Sequence, residues 1–471
     1  MYQMLTIGNV RGLADTDREK LQRLLQTYNY HLAKNAAKDR YYEGKISLNE
    51  VNLGIALPEG IKKLEIACSW GGKTVDVLAG LSMFDGFVNS SGDNDDLTQQ
   101  IVTDNHLISE YAKACRDELK YGCTFMTLSA DPVIRCRIRF HSPQTAAALW
   151  SGEKGRIDCG FAIIDTIPAE DNPEYWIPSI VNMYTDDNII VMRRREGENE
   201  WTAEYHPHNM GRPLMEPLVW NPTSSKPFGQ SRIKEPIRRL IQGYVRTIAN
   251  ATIGLEFSTA PQKYLLGITD EQYDTVINQK FKQYVGAILA ATTNPETGEK
   301  PTFGQFQQGS ISSHVEMIRI LATQFSAATG LTVTDTGVVN DANPTSSDAI
   351  LAQSKTLTQM AEKLNDGNGD SLRTVMLMAS AIIQNATLSE LGYSQQSIVA
   401  HFKNPAMPSI AVSADAAIKI ASGRPEFAST DVFLEMIGFD QADIRRIKAQ
   451  EQRARGMAVL TEEFGEGNEA E

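Results

Sequence analysis

The stretch that decides the reading runs from Ile311 to Ala386: ISSHVEMIRILATQFSAATG (311–330), LTVTDTGVVNDANPTS (331–346) and SDAILAQSKTLTQMAEKLNDGNGDSLRTVMLMASAIIQNA (347–386). In the first segment Val315, Ile318, Leu321, Ala322, Phe325 and Ala328 recur at helical spacing, and Gly330 supplies the stop. The second segment is built of breakers. Thr332, Val333, Thr334, Val338 and Val339 are β-branched, Gly337 interrupts them, and Asn343-Pro344 imposes an extended geometry that a helix cannot enter. Thr345, with Asp348 as the acidic half of a capping box, opens one long helix. Its apolar stripe is Leu351, Leu357, Met360, Ala361 and Leu364, continued past Gly367 and Gly369 by Leu372, Val375, Met376, Ala379, Ile382 and Ile383. On these residues alone, an ordinary helix-loop-helix of an α-rich domain stands beside a functional loop held between two well-specified helices.

At 471 residues the chain is too long for one core, and its 42% hydrophobic and 22% charged content is that of globular protein. No apolar run approaches the roughly 20 residues that a bilayer span needs. MYQMLTIGNVRGL lacks a signal-peptide pattern, so the protein is expected to stay where it is made. Five cysteines (Cys68, Cys115, Cys123, Cys136, Cys159) have no CxxC spacing and read as buried free thiols. The formal charge of −13 argues against a tight grip on DNA, which gathers Lys and Arg to displace counterions. It leaves room for DNA as a passing guest.

Outward from the central stretch, the opening helix carries Leu21, Leu24, Leu25, Tyr28 and Leu32 on one face and stops at Gly44. A second helix starts at Trp70, and a third is expected through Ile101 to Leu119. From Cys123 to Trp220 the period changes to two: Ile134, Cys136, Ile138 and Phe140 face one way, and Arg135, Arg137 and Arg139 the other. The expectation is a largely antiparallel sheet packed on the N-terminal helices. Next comes a helix from about Ile233 that buries Ile237, Leu240, Ile241, Tyr244 and Ile248. Residues 258–308 form a small mixed insert with a strand at QKYLLGI, a helix near Glu271 to Ile277 and the exposed turn NPETGEK. After the long helix, short helices capped at Ser413 and at Ser429 or Thr430 precede an acidic, apolar-poor and disordered tail, EEFGEGNEAE. The fold class is α+β.

Several sites invite chemistry. Gly72-Lys73-Thr74 fits the second half of a phosphate-binding P-loop, and Asp165 could pose as its Mg²⁺ carboxylate, but Ala67 stands where the first glycine belongs. Asp366, Asn368 and Asp370 alternate like a Ca²⁺ loop, yet Ser371 and Leu377 occupy positions that need Gly and Glu, so a solvated helix bend is the plainer reading. His206 and His208 beside Glu204 offer two or three metal ligands on one strand, a common accident. No catalytic set, metal or cofactor is expected. Arg232, Arg239 and Arg246 recur every seven residues, about 10 Å apart along a helix with a drift of about 20° per step. In a monomer they line a solvated face; in a closed ring each becomes a circle of positive charge.

The order of several strings resembles the portal proteins of long-tailed double-stranded DNA bacteriophages. These are YYEGK (41–45), SWGGKTVDVLAGLSMFDGF (69–87), HNMGRPLMEPLVWNP (208–222), GQSRI (229–233), STAPQKYLLGI (258–268), TGLTVTDTGVVNDANPTSSDAILAQSKTL (329–357) and SADAAIKIASGRPEFASTDVFLEMIGF (413–439). The resemblance covers nearly the whole chain, and its specificity lies in the order of the strings. Ser69 stands where that family commonly has Asn at the start of an Asn-Trp-led helix.

The resemblance implies a homo-oligomeric ring, a homododecamer, at one capsid vertex of the virion, assembled in the host bacterial cytoplasm and without a membrane. It implies a wing over 1–229, stem helices over 230–257 and 311–330, a clip over 258–310, a tunnel loop over 331–346, a long wing or spine helix and return over 347–412, and a crown over 413–471. Double-stranded DNA would pass through without sequence recognition, the clip would meet the terminase large subunit and head-completion or adaptor proteins, and the capsid partners would be the major capsid protein and scaffolding protein. ATP hydrolysis would belong to the terminase. Thr334, Asp335, Thr336, Val338, Val339 and Asn340 are the candidate DNA-facing positions, Arg232, Arg239 and Arg246 the stem rings, and Glu296, Thr297, Glu299 and Lys300 the clip face toward terminase or adaptor. The loop contains no Lys or Arg, so it suits contact with moving DNA. The rival readings are a P-loop-type nucleotide-binding enzyme, told apart by nucleotide binding, and a structural scaffold without a channel, told apart by mass.

Overall fold

The computed structural model describes residues 4–46, 66–89, 96–169, 176–194, 200–259, 263–266, 298, 302–305, 311–338, 347–406, 410–439 and 441–465. In chain order the helices are α1 (Asp15–Tyr42), α2 (Trp70–Leu81), α3 (Asp96–Asp104), α4 (Leu107–Tyr121), α5 (Glu235–Thr259), α6 (Ser312–Thr329), α7 (Ser347–Gln384), α8 (Tyr393–Gln396), α9 (Ile410–Gly423), α10 (Asp431–Ile437) and α11 (Gln441–Gly465). The strands are β1 (Val10–Arg11), β2 (Lys45–Ile46), β3 (Ile66–Ala67), β4 (Phe84–Asn89), β5 (Cys123–Asp131), β6 (Arg135–His141), β7 (Ala146–Ser151), β8 (Arg156–Pro168), β9 (Trp176–Tyr184), β10 (Asn188–Arg194), β11 (Trp201–Pro207), β12 (Met215–Val219), β13 (Lys263–Leu266), β14 (Thr302–Gln305) and β15 (Ile398–Phe402). The chain forms two compact units, Met1–Asp39 with Lys73–Lys234 and Pro344–Glu471, and Arg40–Gly72 with Glu235–Asn343.

In the first unit a six-stranded sheet runs β1-β11-β10-β9-β8-β7, antiparallel apart from the parallel β1·β11 pair. Its apolar face and the stripe of α1 make one core, with Leu21, Leu24 and Tyr28 against Phe161, Val181, Met183, Ile190, Met192 and Trp201. Tyr28 meets Phe161 edge to face at 5.6 Å, and its hydroxyl donates to the Gln144 carbonyl at 2.5 Å. A second, three-stranded sheet runs β12-β5-β6. Cys123 to Leu128 of β5 are buried without alternation, as expected of a strand covered by helices, and both α4 and α7 pack against it. The alternation expected of β6 holds at its centre, where Cys136 and Ile138 are buried, Arg135 is exposed and Arg137 and Arg139 are half-buried; it ends there, with Phe140 half-buried and His141 buried. All five cysteines are free and buried.

The expected third helix is two helices. Asn105 follows the end of α3, and its carboxamide ties that end to β6: Nδ2 donates to the carbonyls of Ile101 on α3 and Cys136 on β6, both at 3.1 Å, and Oδ1 accepts from the Ile138 amide at 2.8 Å. His106 then turns the chain at φ 50°, and α4 begins.

The long helix α7 has 38 residues, so it extends about 57 Å, and it runs unbroken through Gly367 and Gly369. Leu357, Ala361, Leu364, Leu372, Val375, Met376 and Ala379 of the expected stripe are buried. Its expected cap at Thr345 lies outside the described residues. Towards the C-terminus, the Thr430 hydroxyl caps α10 by accepting from the Phe433 amide at 3.3 Å. Ser413 does not cap: it lies inside α9, which starts at Ile410. Residues 462–465, expected to be disordered, close α11.

In the second unit, β2 pairs with β3 and β13 with β14 as antiparallel ribbons, the latter on the expected QKYLLGI strand. The helix expected near Glu271 to Ile277 lies outside the described residues. The pair α5 and α6 forms the body of this unit.

Candidate functional site

Ile237, Ile241, Val245 and Ala249 recur every four residues along α5 and are at most 1% exposed. α5 packs against α6, on which Leu321, Ala322 and Phe325 are buried. Gly243 permits the approach, since a Cβ there would lie 3.2 Å from a Leu321 methyl. Along α6 the expected stripe holds for Leu321, Ala322 and Phe325, whereas Val315 is 45% exposed and Thr329 is buried in place of Ala328. Trp70, 3% exposed, stands between Tyr244 at 4.5 Å and Phe325 at 4.7 Å, ring centroid to ring centroid. Gly71 lets this indole in: a Cβ at 71 would fall 2.0 Å from the Tyr41 carbonyl oxygen.

The chain leaves α6 through Gly330 at φ 77°, whose amide donates to the Ser326 carbonyl at 2.9 Å. Leu331 is buried, and its carbonyl accepts from the Ser326 hydroxyl at 2.6 Å. One 3₁₀ turn follows, Thr334–Thr336. Asp335 holds it: a single carboxylate oxygen accepts from the Thr332 amide at 2.9 Å and the Thr332 hydroxyl at 2.8 Å. The Thr336 hydroxyl donates to the Val333 carbonyl at 2.5 Å, and the indole N–H of Trp70 donates to the Thr336 carbonyl at 3.0 Å. Gly337 closes the turn at φ 78°.

Thr334 is therefore exposed, whereas Asp335, Thr336 and Val338 are half-buried. Residues 331–337 are an ordered, side-chain-latched turn, which corrects the expectation of an irregular loop throughout. Val339 and Asn340 lie outside the described residues, as do Glu296, Thr297, Glu299 and Lys300.

The arginine series does not hold as three equivalent positions. Pro236 sits in the first turn of α5, which opens at Glu235, so Arg232 precedes the helix. Arg232 is 7% exposed, its Nε donates to the Thr74 carbonyl at 2.6 Å, and its guanidinium lies 5.7 Å from the Trp220 ring centre. Burial brings its pKa down to about 10. Arg239 is exposed and pairs with Glu235 one turn back at 2.9 Å, and Arg246 is exposed.

The other candidates are placed as follows. Trp70 to Thr74 open α2 as helix, so no loop of amides can wrap a phosphate there. The Asp165 carboxylate accepts from the amide of its neighbour Thr166 at 2.9 Å. His206 Nε2 lies 3.7 Å from Glu204, burial lowers the pKa of His208, and among the described residues no group of three acidic, His or Cys side chains could hold a metal.

Asn368, read as part of a solvated bend, is completely buried and binds two side chains of α4. Its Nδ2 donates to Glu118 Oε2 at 2.7 Å and to the Tyr111 hydroxyl at 3.0 Å. Ser82 joins Tyr111 at 2.7 Å and donates to Asn365 at 2.6 Å. Glu118 is 0% exposed, and burial pushes its pKa up to about 8. The signal was in the spacing: Leu107, Tyr111, Ala114, Cys115 and Glu118 share the buried stripe of α4, and Asn368 continues Ala361 and Leu364 on α7.

A family model described as phage portal protein, SPP1 Gp6-like, matches residues 13–457. Among solved structures, a chain of the virion of a native gene transfer agent particle is 11% identical with a TM-score of 0.45, over 86% of this chain and 93% of that one. A chain from the neck of the native particle, computed with C12 symmetry, is 13% identical at 0.41, over 79% and 89%. A chain from the neck of the empty particle, computed with C6 symmetry, is 12% identical at 0.42, over 79% and 90%. No curated protein matches the chain.

Proposed function

The chain belongs to the SPP1 Gp6-like family of phage portal proteins, and from that premise we propose that it closes into a ring around a channel for double-stranded DNA. It is the portal vertex protein of a tailed-phage capsid. In the proposed ring, a homododecamer, α5 and α6 are the stem, residues 258–310 the clip, and residues 1–229 with α7 the wing. The helices after Ser413 are the crown. The clip faces the terminase large subunit during packaging and the head-completion proteins afterwards, and ATP is hydrolysed by the terminase.

The observation that carries the reading is the family match over residues 13–457, which takes in the stem helices, the turn and the long helix together. The physical chemistry of the segment agrees. Residues 331–346 contain no Lys or Arg, and Thr334 is exposed beside the latched carboxylate of Asp335. Such a surface brushes phosphates without releasing many counterions, so it does not hold them. The N-terminal half of α6 exposes Val315, Met317 and Ile320 at 45–49%; Met317 and Ile320 lie about 60° apart around the helix, a stripe that a neighbouring subunit would cover, and Val315 lies on the other side.

Electron microscopy of the purified protein, and DNA packaging by a phage whose portal lacks residues 333–340, test the reading. Closed rings and a loss of packaged or retained DNA are expected. A monomer without a central hole, or full packaging without the loop, would overturn it.

A further inference from the structure

We propose that Trp70 is a positioning residue for the DNA-facing loop, a role that rests on the channel reading above. Three observations meet at this side chain. Its ring is fixed between Tyr244 of α5 and Phe325 of α6, so the indole has one orientation. Its Nε1–H, the only donor an indole possesses, is spent on the backbone carbonyl of Thr336 at 3.0 Å. α6 holds the start of the turn through the Ser326 hydroxyl on the Leu331 carbonyl, and the 3₁₀ part that presents the Thr336 carbonyl is held, among the described residues, by contacts within the turn, Thr332 to Asp335 and Thr336 to Val333. The local contacts fix the shape of the turn, Ser326 ties its start to α6, and the bond to Trp70 is the second tie, which fixes where its far end stands on the helix pair. Thr334 and Val338, two residues to either side of Thr336, leave from that anchored point.

The sequence contributes a further sign. A tryptophan at the first position of α2 is followed by Gly71, where any side chain would meet the Tyr41 carbonyl. A filler residue would need a ring only. The geometry here uses the ring for the stack and the N–H for the turn, which is why phenylalanine separates the two roles.

The test compares wild-type and Trp70→Phe rings by hydrogen exchange, with Tm and ring size measured alongside. The amides of Asp335, Thr336 and Gly337 donate within the turn, to the carbonyls of Thr332, Val333 and Thr334. Loss of the indole bond is expected to raise their exchange about fivefold, the effect of one hydrogen bond, while α5 and α6 keep their protection. Unchanged exchange in the turn would overturn the proposal. So would an equal rise along α5 and α6, which would make Trp70 a core residue only. Packaging by phage carrying Trp70→Phe is the second arm. If the turn loosens and packaging is undiminished, the anchor stands and the assignment of the turn to DNA falls.

Discussion

Glu118 on α4 and Asn368 on α7 are joined by a 2.7 Å hydrogen bond in a place that admits no solvent to either side chain. The second oxygen of Glu118 has no partner among the described residues, and burial lifts the carboxyl pKa to about 8. The acid is therefore neutral at pH 7 in the folded protein and ionised in the unfolded chain.

The sign of the pH dependence follows. A folded pKa of about 8 lies above the unfolded value of 4.5, so the stabilisation is complete below the unfolded pKa and disappears as pH rises through the folded one. Within that window the loss is about 1.4 kcal/mol per pH unit. Thermal unfolding between pH 5 and pH 9 should show it, and Glu118→Gln, which is neutral at every pH, should flatten the profile. Parallel profiles for the two proteins would mean that Glu118 is already charged in the fold.

Two glycines of α2 predict opposite outcomes for one substitution. Gly71→Ala would press a methyl group against the Tyr41 carbonyl at 2.0 Å, and is expected to cost about 3 kcal/mol. Gly80 is exposed, and a methyl group there would meet nothing within 4 Å, so Gly80→Ala should stabilise by about 0.5–1 kcal/mol through helix propensity. Urea titration of the two variants against wild type checks the pair. Equal changes would show that Gly71 is kept for some reason other than close approach.

The long-range architecture was legible where one period ran uninterrupted. The stripes of α1, α6 and α7 and the alternation of β6 each gave an element close to its observed bounds. What escaped was decided by partners distant in sequence. Nothing local marks Asn105 as a helix end, because its bonds go to Cys136 and Ile138 on β6. Arg232 fitted a seven-residue series, but Pro236 and the Thr74 carbonyl place it outside the helix. The turn after α6 is an intermediate case. Thr332 and Asp335 have the spacing of a side-chain latch, a readable signal that stands among Gly337 and β-branched residues, which by themselves only disfavour a helix.

The two arginines that the series treated alike should separate on substitution. Arg232→Ala deletes a buried charged donor from the Thr74 carbonyl and is expected to cost about 2–3 kcal/mol. Arg239→Ala breaks only the exposed pair with Glu235 and should change stability by less than about 0.5 kcal/mol. Chemical denaturation distinguishes them, and comparable losses would place Arg239 against a surface that one protomer does not contain.

Asp335 carries two properties, an acceptor for Thr332 and a negative charge, and two variants pull them apart. Asp335→Asn keeps a carbonyl oxygen where Thr332 donates, so amide exchange in the turn should stay near wild type. Asp335→Ala removes the acceptor for both bonds, and exchange at Thr336 and Gly337 should rise roughly tenfold or more. Both variants remove the charge. If this carboxylate faces passing DNA, rings of either variant should retain short duplex DNA more strongly than wild type at low salt, and the difference should fade as salt screens it. Retention that follows the turn's order, rising in Asp335→Ala and not in Asp335→Asn, would assign the effect to loop shape. Identical retention in all three proteins would remove Asp335 from the channel surface.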